Sequence, residues 1–548
     1  MGSFARSAGP LRAGVDEGGG AGYRRSVVGP TGGVALASLV VLLVGLRGPD
    51  YPTHFFRAEL WRTAGFAVWD AWWFTGHSTP SYSVLVPPLA AALGPVPLAA
   101  LSAVAATWMF SDLHWRLVGT RAVAFGNALF AFGAIDNVII GRTTFVVGFA
   151  IAIAAAWAWQ RGWVPVAVVA AICASLASPV AGVFLGIVAA GVVVDALWTM
   201  RASTPRRTSP SSLLWSGLAV GTACAVPLLL VAVRYGSEGH FSFPVGLFVV
   251  QLLVLASAWM IMAQRVARIV LVIAGVACVV FFAVPNALAG NFVRFGNFVV
   301  VPVAAAQWFG RVRVDRRAAL AALASFAALF WVGTYTVRAV RWWAVDPSTS
   351  SQFYDELVVQ IHARSADGLP AGRVEIPFTS DHWETYYVAV EAPYPRGWER
   401  QLDVARNAVL YDPPLDWPTY RQWLDDNAVR WVAVPSDDVP IDRGGRPEVE
   451  LIAGGGASDL VEVWSDPNWT LYEVDDYTPI VGAHGTLVEQ APDAITIEAS
   501  EPGPIEVRYR FTDAMRVGGG ATLEPTGGGW FTIDVPAPGV YTITVPAP

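Results

Sequence analysis

The chain has 548 residues, of which 54% are apolar and 14% charged, against about 25% charged in soluble globular proteins; a purely soluble protein is excluded. The net charge of −7 hides a division, with 24 arginines and 10 carboxylates up to residue 344 and 12 arginines and 33 carboxylates beyond it. The two parts are built for different surroundings. There is no lysine, and the arginine-rich part is also the apolar part, so the charge does not point to nucleic acid.

Residues 1–30 are glycine-rich with Arg6, Arg12, Arg24 and Arg25, and read as a disordered cytoplasmic N-terminus. The first apolar run ends in Leu46-Arg47-Gly48-Pro49 without a small-x-small cleavage site, which predicts an uncleaved first span rather than a signal peptide. A bilayer core takes about 20 apolar residues per helix. Such runs recur near 31–47, 83–110, 117–135, 143–160, 163–177, 180–199, 213–234, 244–264, 268–284, 298–310 and 317–338, predicting about 11 transmembrane helices within a domain of residues 31–344. Placing the N-terminus inside gathers 16 of the 24 arginines, among them Arg116, Arg121, Arg161, Arg201, Arg206, Arg207, Arg311 and Arg313, on one side. An odd number of spans then leaves the acidic tail outside. The expectation is a multi-pass plasma-membrane protein. Cys173, Cys224 and Cys278 lie in apolar runs and supply neither a disulfide framework nor a thiolate metal site.

The first outer loop, 48–82, is the longest of the membrane part. From Pro52 it predicts a helix with Phe56, Leu60, Ala64 and Ala67 on one face and Arg57, Glu59 and Arg62 away from it, lying in the interface and anchored by Trp61, Trp69, Trp72 and Trp73. Asp50 has two readings, a cap for that helix or a general base. Asp50, Glu59, Asp70, Asp136 and Glu238 are the carboxylates expected at the outer face, and an ionisable group at membrane depth asks for a reason. Asp136, in Ile135-Asp136-Asn137 of the next outer loop, reads from its surroundings as a partner for Arg142 across a short loop. Arg294, in a Gly/Asn-rich loop between the ninth and tenth runs, either reaches lipid headgroups or meets a phosphate. Glu238 and His240 share the loop 236–244 as an acid or a weak metal pair. Asp112 and His114 fall on the cytoplasmic side, outside the site.

Residues 345–480 predict an α/β domain, with helices near Tyr354–Ala363 and Pro418–Asn427 and strands at Arg373–Pro377, Arg430–Val434, Val461–Trp464 and Trp469–Val474. Ser380-Asp-His-Trp-Glu384 and Pro395-Arg-Gly-Trp-Glu-Arg400 offer Trp383 and Trp398 as sugar-stacking residues or as core. From 485 to 548, alternating strands at Ala494–Ala499, Ile505–Phe511, Trp530–Val535 and Val540–Val545 predict a small β-sandwich. The fold class is thus a polytopic α-helical membrane protein with an extracytoplasmic α/β domain and a β-sandwich. No phosphate-binding glycine loop, Cys-x-x-Cys or serine nucleophile elbow occurs.

Asp just beyond the first span, then His54, an amphipathic helix, Trp69-Asp-Ala-Trp-Trp with Gly76, and Tyr82 to Pro87-Pro88-Leu89 opening the second span together resemble the first outer loop of the GT-C superfamily of polytopic glycosyltransferases. The resemblance implies a lipid-phosphate-linked sugar donor, an envelope glycan or lipid acceptor, and Asp50 as the base that deprotonates the acceptor hydroxyl. Asp136 holds the superfamily's second acidic position, with His54, Arg57, Asp70, His77, Arg142, Glu238, His240 and Arg294 as substrate-binding candidates and a divalent metal as an open cofactor. Two other functions fit the composition: a transporter or flippase lined by the same charges, and a non-catalytic envelope protein that binds glycan through its tail.

Overall fold

The computed structural model describes residues 19–546 except 81, 119–122, 203–208, 237, 310–315, 366–371 and 413. The chain is mostly helical, and its C-terminal part is rich in strands. Among the described residues eight helices are long and apolar enough to cross a membrane: Gly20–Val44, Pro95–Val118, Val123–Ile140, Thr143–Gln160, Pro179–Arg201, Pro210–Tyr235, Arg265–Ala283 and Ala289–Gln307. Val164–Ala177 and Val245–Ile261 are shorter apolar helices, and Arg316–Val345 leads into the tail.

Several boundaries differ from the sequence expectation. Helix begins at Gly19, so residues 19–30 are ordered rather than disordered; Tyr23 packs edge-on against Trp115, and the Ser26 carbonyl accepts from Asn127 Nδ2 at 2.6 Å. Residues 1–18, with Arg6 and Arg12, lie outside the described residues, as do Arg121, Arg206, Arg207, Arg311 and Arg313. The run 83–110 divides at Gly94-Pro95 into Val86–Leu93 and Pro95–Val118, because Gly94 adopts φ +84° and proline favours a helix start. The third run lies at Val123–Ile140, several residues beyond the expected 117–135. Asp136 is therefore on the last turns of a helix, not in a loop.

Small residues let the helices approach closely. Ala167, Ala171, Ala174, Ala181 and Ala189 are fully buried between them, alongside a run of rings from Phe110 through Phe130, Phe149 and Phe184 to Phe295. Leu43, Val233 and Phe326 are exposed, as apolar residues are on a surface that meets lipid.

The first outer loop forms a small antiparallel pair, β1 (Trp69–Asp70) with β2 (His77–Ser78). In the tail, β3 (Arg373–Glu375), β4 (Val429–Pro435), β5 (Leu460–Ser465) and β6 (Trp469–Val474) make one sheet in the order β3-β4-β6-β5, parallel only between β3 and β4. Beyond it stand β7 (Gly485–Ala491), β8 (Ala494–Ala499), β9 (Gly503–Val507), β10 (Arg516–Val517), β11 (Thr522–Pro525), β12 (Phe531–Val535) and β13 (Gly539–Thr544). They form two antiparallel sheets, β10-β13-β8-β7 and β11-β12-β9.

The tail is not tethered loosely to the helices. A single hydrophobic core joins Val41, Tyr51, Phe56 and Val138 of the membrane part to Leu357, Trp383, Trp431 and Trp469 of the α/β unit. A second joins Trp69 and Ala71 of the outer loop to Ile497, Val507 and Phe531 of the sandwich. Inside the α/β unit the fully buried Arg396 is ringed by Asp403 (2.7 Å), Glu448 (3.0 Å) and Glu375 (3.2 Å), a buried cation held by carboxylates on three sides.

Candidate functional site

Two glycines bring the end of the first span against the end of the Val123–Ile140 helix. A methyl group on Gly48 would collide with the backbone of Ile139 and Ile140, and Gly141, at φ +95°, abuts the Tyr51 ring. In that close approach Asp50 donates its backbone N–H to Ile140 O at 3.0 Å, and Tyr51 OH donates to Val138 O at 2.8 Å. Asp50 stands at the start of the Tyr51–Ala64 helix, yet its side chain makes no capping hydrogen bond. The carboxylate, 37% exposed, is thus not held by the helix end.

Arg142 lies between two carboxylates. Its guanidinium donates to Asp136 Oδ2 at 3.1 Å and stands 3.8 Å from Asp50 Oδ2. Asp136 is 1% exposed and accepts a second hydrogen bond, from Thr336 Oγ1 at 2.5 Å. The guanidinium already fills the space where the two carboxylates would share a divalent ion, and among the described residues no three metal-ligating side chains cluster. The donor set therefore does not fit a bound metal.

A cavity of about 1160 Å³ opens at this point, and Asp50, Asp136, Arg142, Arg294, His77 and Glu238 all line it. Arg294 does not reach outward from a loop: it sits where the helix from Ala289 to Phe309 breaks through 3-10 and π turns, with its guanidinium 4.9 Å from the Phe145 ring centre. Irregular backbone at membrane depth is tolerated where it lines a cavity. Among the described residues Arg294 has no ion-pair partner, although Asp50, Asp136 and Arg142 are all within its electrostatic reach.

The rest of the first loop differs from its expectation. The Tyr51–Ala64 helix does not hold Arg57 in water. Arg57 is 4% exposed, ion-paired to Glu399 of the α/β unit and set over the Tyr82 ring. Trp69, Trp72 and Trp73 are buried and serve as core rather than interface anchors, with Trp73 stacked on Phe56 at 3.8 Å. Asp70 is fully buried, accepts from Trp72 N at 2.9 Å and lies 3.5 Å from His77 Nδ1. Burial pushes Asp70 up to about 7 and the His77 imidazole well below its ordinary range. His54, Arg57 and Asp70 support the loop but do not line the cavity. Burial, then Arg57, lowers His54 to about 3.

Glu238 is bound at both oxygens by Arg406, at 2.8 and 3.0 Å, and so ties its loop to the α/β unit. His240 is exposed and away from the cavity. Asp112 pairs with Arg161 (2.6 Å) and Arg116 (2.9 Å) at the opposite end of the bundle from Asp136.

The α/β unit supplies further cavity residues: Asp381, His382 and Arg400 come from the two segments that the sequence offered for sugar binding, whereas Asp442, and Arg338 from the last long helix, carried no such signal. Trp383 is buried in the core. Trp398 lines the cavity, but its ring is engaged by His382, stacked at 3.3 Å, and by Arg400 at 4.6 Å, while its Nε1 donates to Pro49 O. Neither tryptophan offers a bare face to a sugar. The cluster of His, Trp and acids in 380–384 was a visible signal; that Asp381 reaches a cavity depends on contacts between distant parts of the chain.

No family model and no curated protein matches the chain. Among solved structures it is similar to the arabinofuranosyltransferase AftD from mycobacteria, at 13% identity and a TM-score of 0.41, over 81% of this chain and 42% of that one. The chain thus spans less than half the length of that structure.

Proposed function

We propose that the protein is a membrane glycosyltransferase that moves a sugar from a polyprenyl-phosphate-linked donor to an envelope glycan or lipid acceptor. Its N-terminus would be cytoplasmic and its tail extracytoplasmic. The observation that carries this reading is the mixed lining of the cavity. The polar lining includes Asp50, Arg142 and Arg294; the apolar lining includes Val180, Val183, Leu228, Leu229, Val231 and Leu247 from the long apolar helices. Leu229 is 63% exposed, so this apolar lining is open rather than enclosed. A ligand with a phosphate head and a hydrocarbon tail matches both linings.

In this reading Asp50 takes the proton of the acceptor hydroxyl while that oxygen bonds to the anomeric carbon. The bond from the same carbon to the phosphate oxygen breaks, and the phosphate leaves with the electron pair. Arg142 and Arg294 meet its charge, for which guanidinium geometry is suited. Asp136 fixes Arg142 rather than acting on substrate.

The test is transfer of labelled sugar from a panel of polyprenyl-phosphate donors by the full chain in lipid. Asp50→Asn is expected to lose transfer by roughly 10²–10⁴-fold, the usual contribution of a general base, with an unchanged melting curve. Transfer by Asp50→Asn at the wild-type rate removes the base from the mechanism. Absence of turnover with every donor, together with donor movement across vesicles, replaces the enzyme with a carrier.

A further inference from the structure

Asp381 is the cavity group whose environment the reading above leaves unexplained. It is 2% exposed, lines the cavity, and among the described residues its carboxyl has no hydrogen-bond partner, Oδ2 being fully enclosed. Neighbouring acids are well provided. Glu384 accepts from Thr379 N at 3.0 Å and Thr379 Oγ1 at 2.6 Å, and Asp442 takes two guanidinium hydrogen bonds from Arg400 at 2.6 and 2.7 Å. A buried polar group left unsatisfied in an otherwise satisfied region calls for a ligand or a chemical role. His382, next in the chain, is 2% exposed and lines the same cavity; neither ring nitrogen has a partner within hydrogen-bond distance, Nε2 standing 3.9 Å from Asp442 Oδ2.

Three charged groups act on Asp381, namely Asp346, Arg338 and, from the first outer loop, Asp50. The carboxyl thus belongs to the side of the cavity contributed by the α/β unit, within electrostatic reach of Asp50. Burial pushes it up to about 7, with Asp346 and Asp50 adding to the rise and Arg338 opposing it. A protonated carboxyl donates one hydrogen bond and accepts others, and His382, which burial lowers to about 4, stays a neutral imidazole that donates at one nitrogen and accepts at the other. Paired donors and acceptors without net charge suit vicinal hydroxyls and do not suit a phosphate.

We propose that Asp381 and His382 form a sugar-hydroxyl subsite, built by the α/β unit on the wall of the cavity that contains Asp50. The proposal rests on the transferase reading for its place in a reaction. The hydroxyls belong to the donor sugar or the acceptor sugar, and the kinetic constant that moves tells which. Asp381 binds and does not take the reacting proton.

Two measurements on the full chain in detergent or lipid test it. In the transfer assay, Asp381→Ala is expected to raise KM for donor or acceptor about tenfold, the scale of one hydrogen bond, with kcat nearly unchanged. Asp381→Asn, which keeps a donor and an acceptor in the same shape, is expected to restore KM. Saturation-transfer NMR with a panel of methyl glycosides reads binding without turnover: signal in wild type and Asp381→Asn, and its loss in Asp381→Ala. Bound glycosides with no transfer by any variant would sink the transferase reading and leave the subsite standing. Three results overturn the subsite: no glycoside bound by wild type, unchanged binding in Asp381→Ala, or a loss of kcat in Asp381→Asn as deep as that of Asp50→Asn.

Discussion

Arg142 holds two carboxylates of opposite character, the buried Asp136 and the partly exposed Asp50. Removing the guanidinium leaves Asp136 without its counter-charge, a change that costs about 3–5 kcal/mol when one member of a buried pair is lost. Arg142→Gln is therefore expected to lower the melting temperature and the transfer rate together. Adding Asp136→Asn is expected to relieve the first defect and not the second, because no buried carboxylate is then left unpaired while the cation proposed to meet the phosphate stays absent. A double mutant that recovers both would make Arg142 purely structural. At this scale the sequence was informative, since carboxylates are so scarce before residue 345 that Asp50 and Asp136 stood out. It misassigned Arg57, whose partner Glu399 lies 342 residues away and leaves no trace in a local pattern.

The element that sets the site is the junction of the first span, the Tyr51–Ala64 helix and the Gly141 turn. Gly48 lies against the backbone of Ile139 and Ile140 with no room for a side chain. Gly48→Ala is expected to push the chain off that helix end and carry Asp50 with it. A shift of about 1 Å in a reacting group costs on the order of 100-fold in rate, so kcat should fall while the protein still inserts and binds donor. An Ala variant with wild-type kcat would mean that Asp50 tolerates displacement and is not poised. Hydrophobic runs predicted where helices occur, and the tail strands Trp469–Val474 and Ala494–Ala499 match their expected limits. Helix ends were less legible: Asp136-Asn137 reads as a loop, yet the helix runs through both to Ile140, and only packing fixes where the turn falls. The tryptophans of the first loop read as interface anchors for the same reason: amphipathic composition does not say whether the covering surface is lipid or the chain's own tail.

Across the whole molecule, the membrane helices, the α/β unit and the sandwich share continuous cores, so stability depends on groups in any of them. Glu384 is fully buried beside Thr379, and burial raises it from the ordinary 4.5 to about 8. The folded chain keeps this proton where the unfolded chain releases it. Stability from this group is thus complete below about pH 4.5 and is lost as the pH rises toward 8. Asp381 and Glu448, each raised to about 7, act in the same direction. Melting followed by near-ultraviolet circular dichroism of the tail tryptophans is expected to fall between pH 5 and pH 8, with a shallower slope in Glu384→Gln. A slope unchanged by the substitution would assign the pH response to other groups. The charge division at residue 344 was plain in the sequence; that the two parts interlock was not, since composition reports solvent and says nothing of docking.

The sandwich grips the first outer loop through its backbone: Ala71 N–H donates to Pro492 O at 2.8 Å, and Arg510 N–H to Thr75 O at 2.7 Å. More than 400 residues of synthesis separate these partners. The loop that follows Asp50 therefore stays unfastened until residues 492–510 have been made. A chain cut short by a premature stop codon would carry every carboxylate of the polar pocket and still lack the clamp. Closure of the loop thus depends on residues 492–510, and a chain truncated before them leaves the segment after Asp50 unfastened.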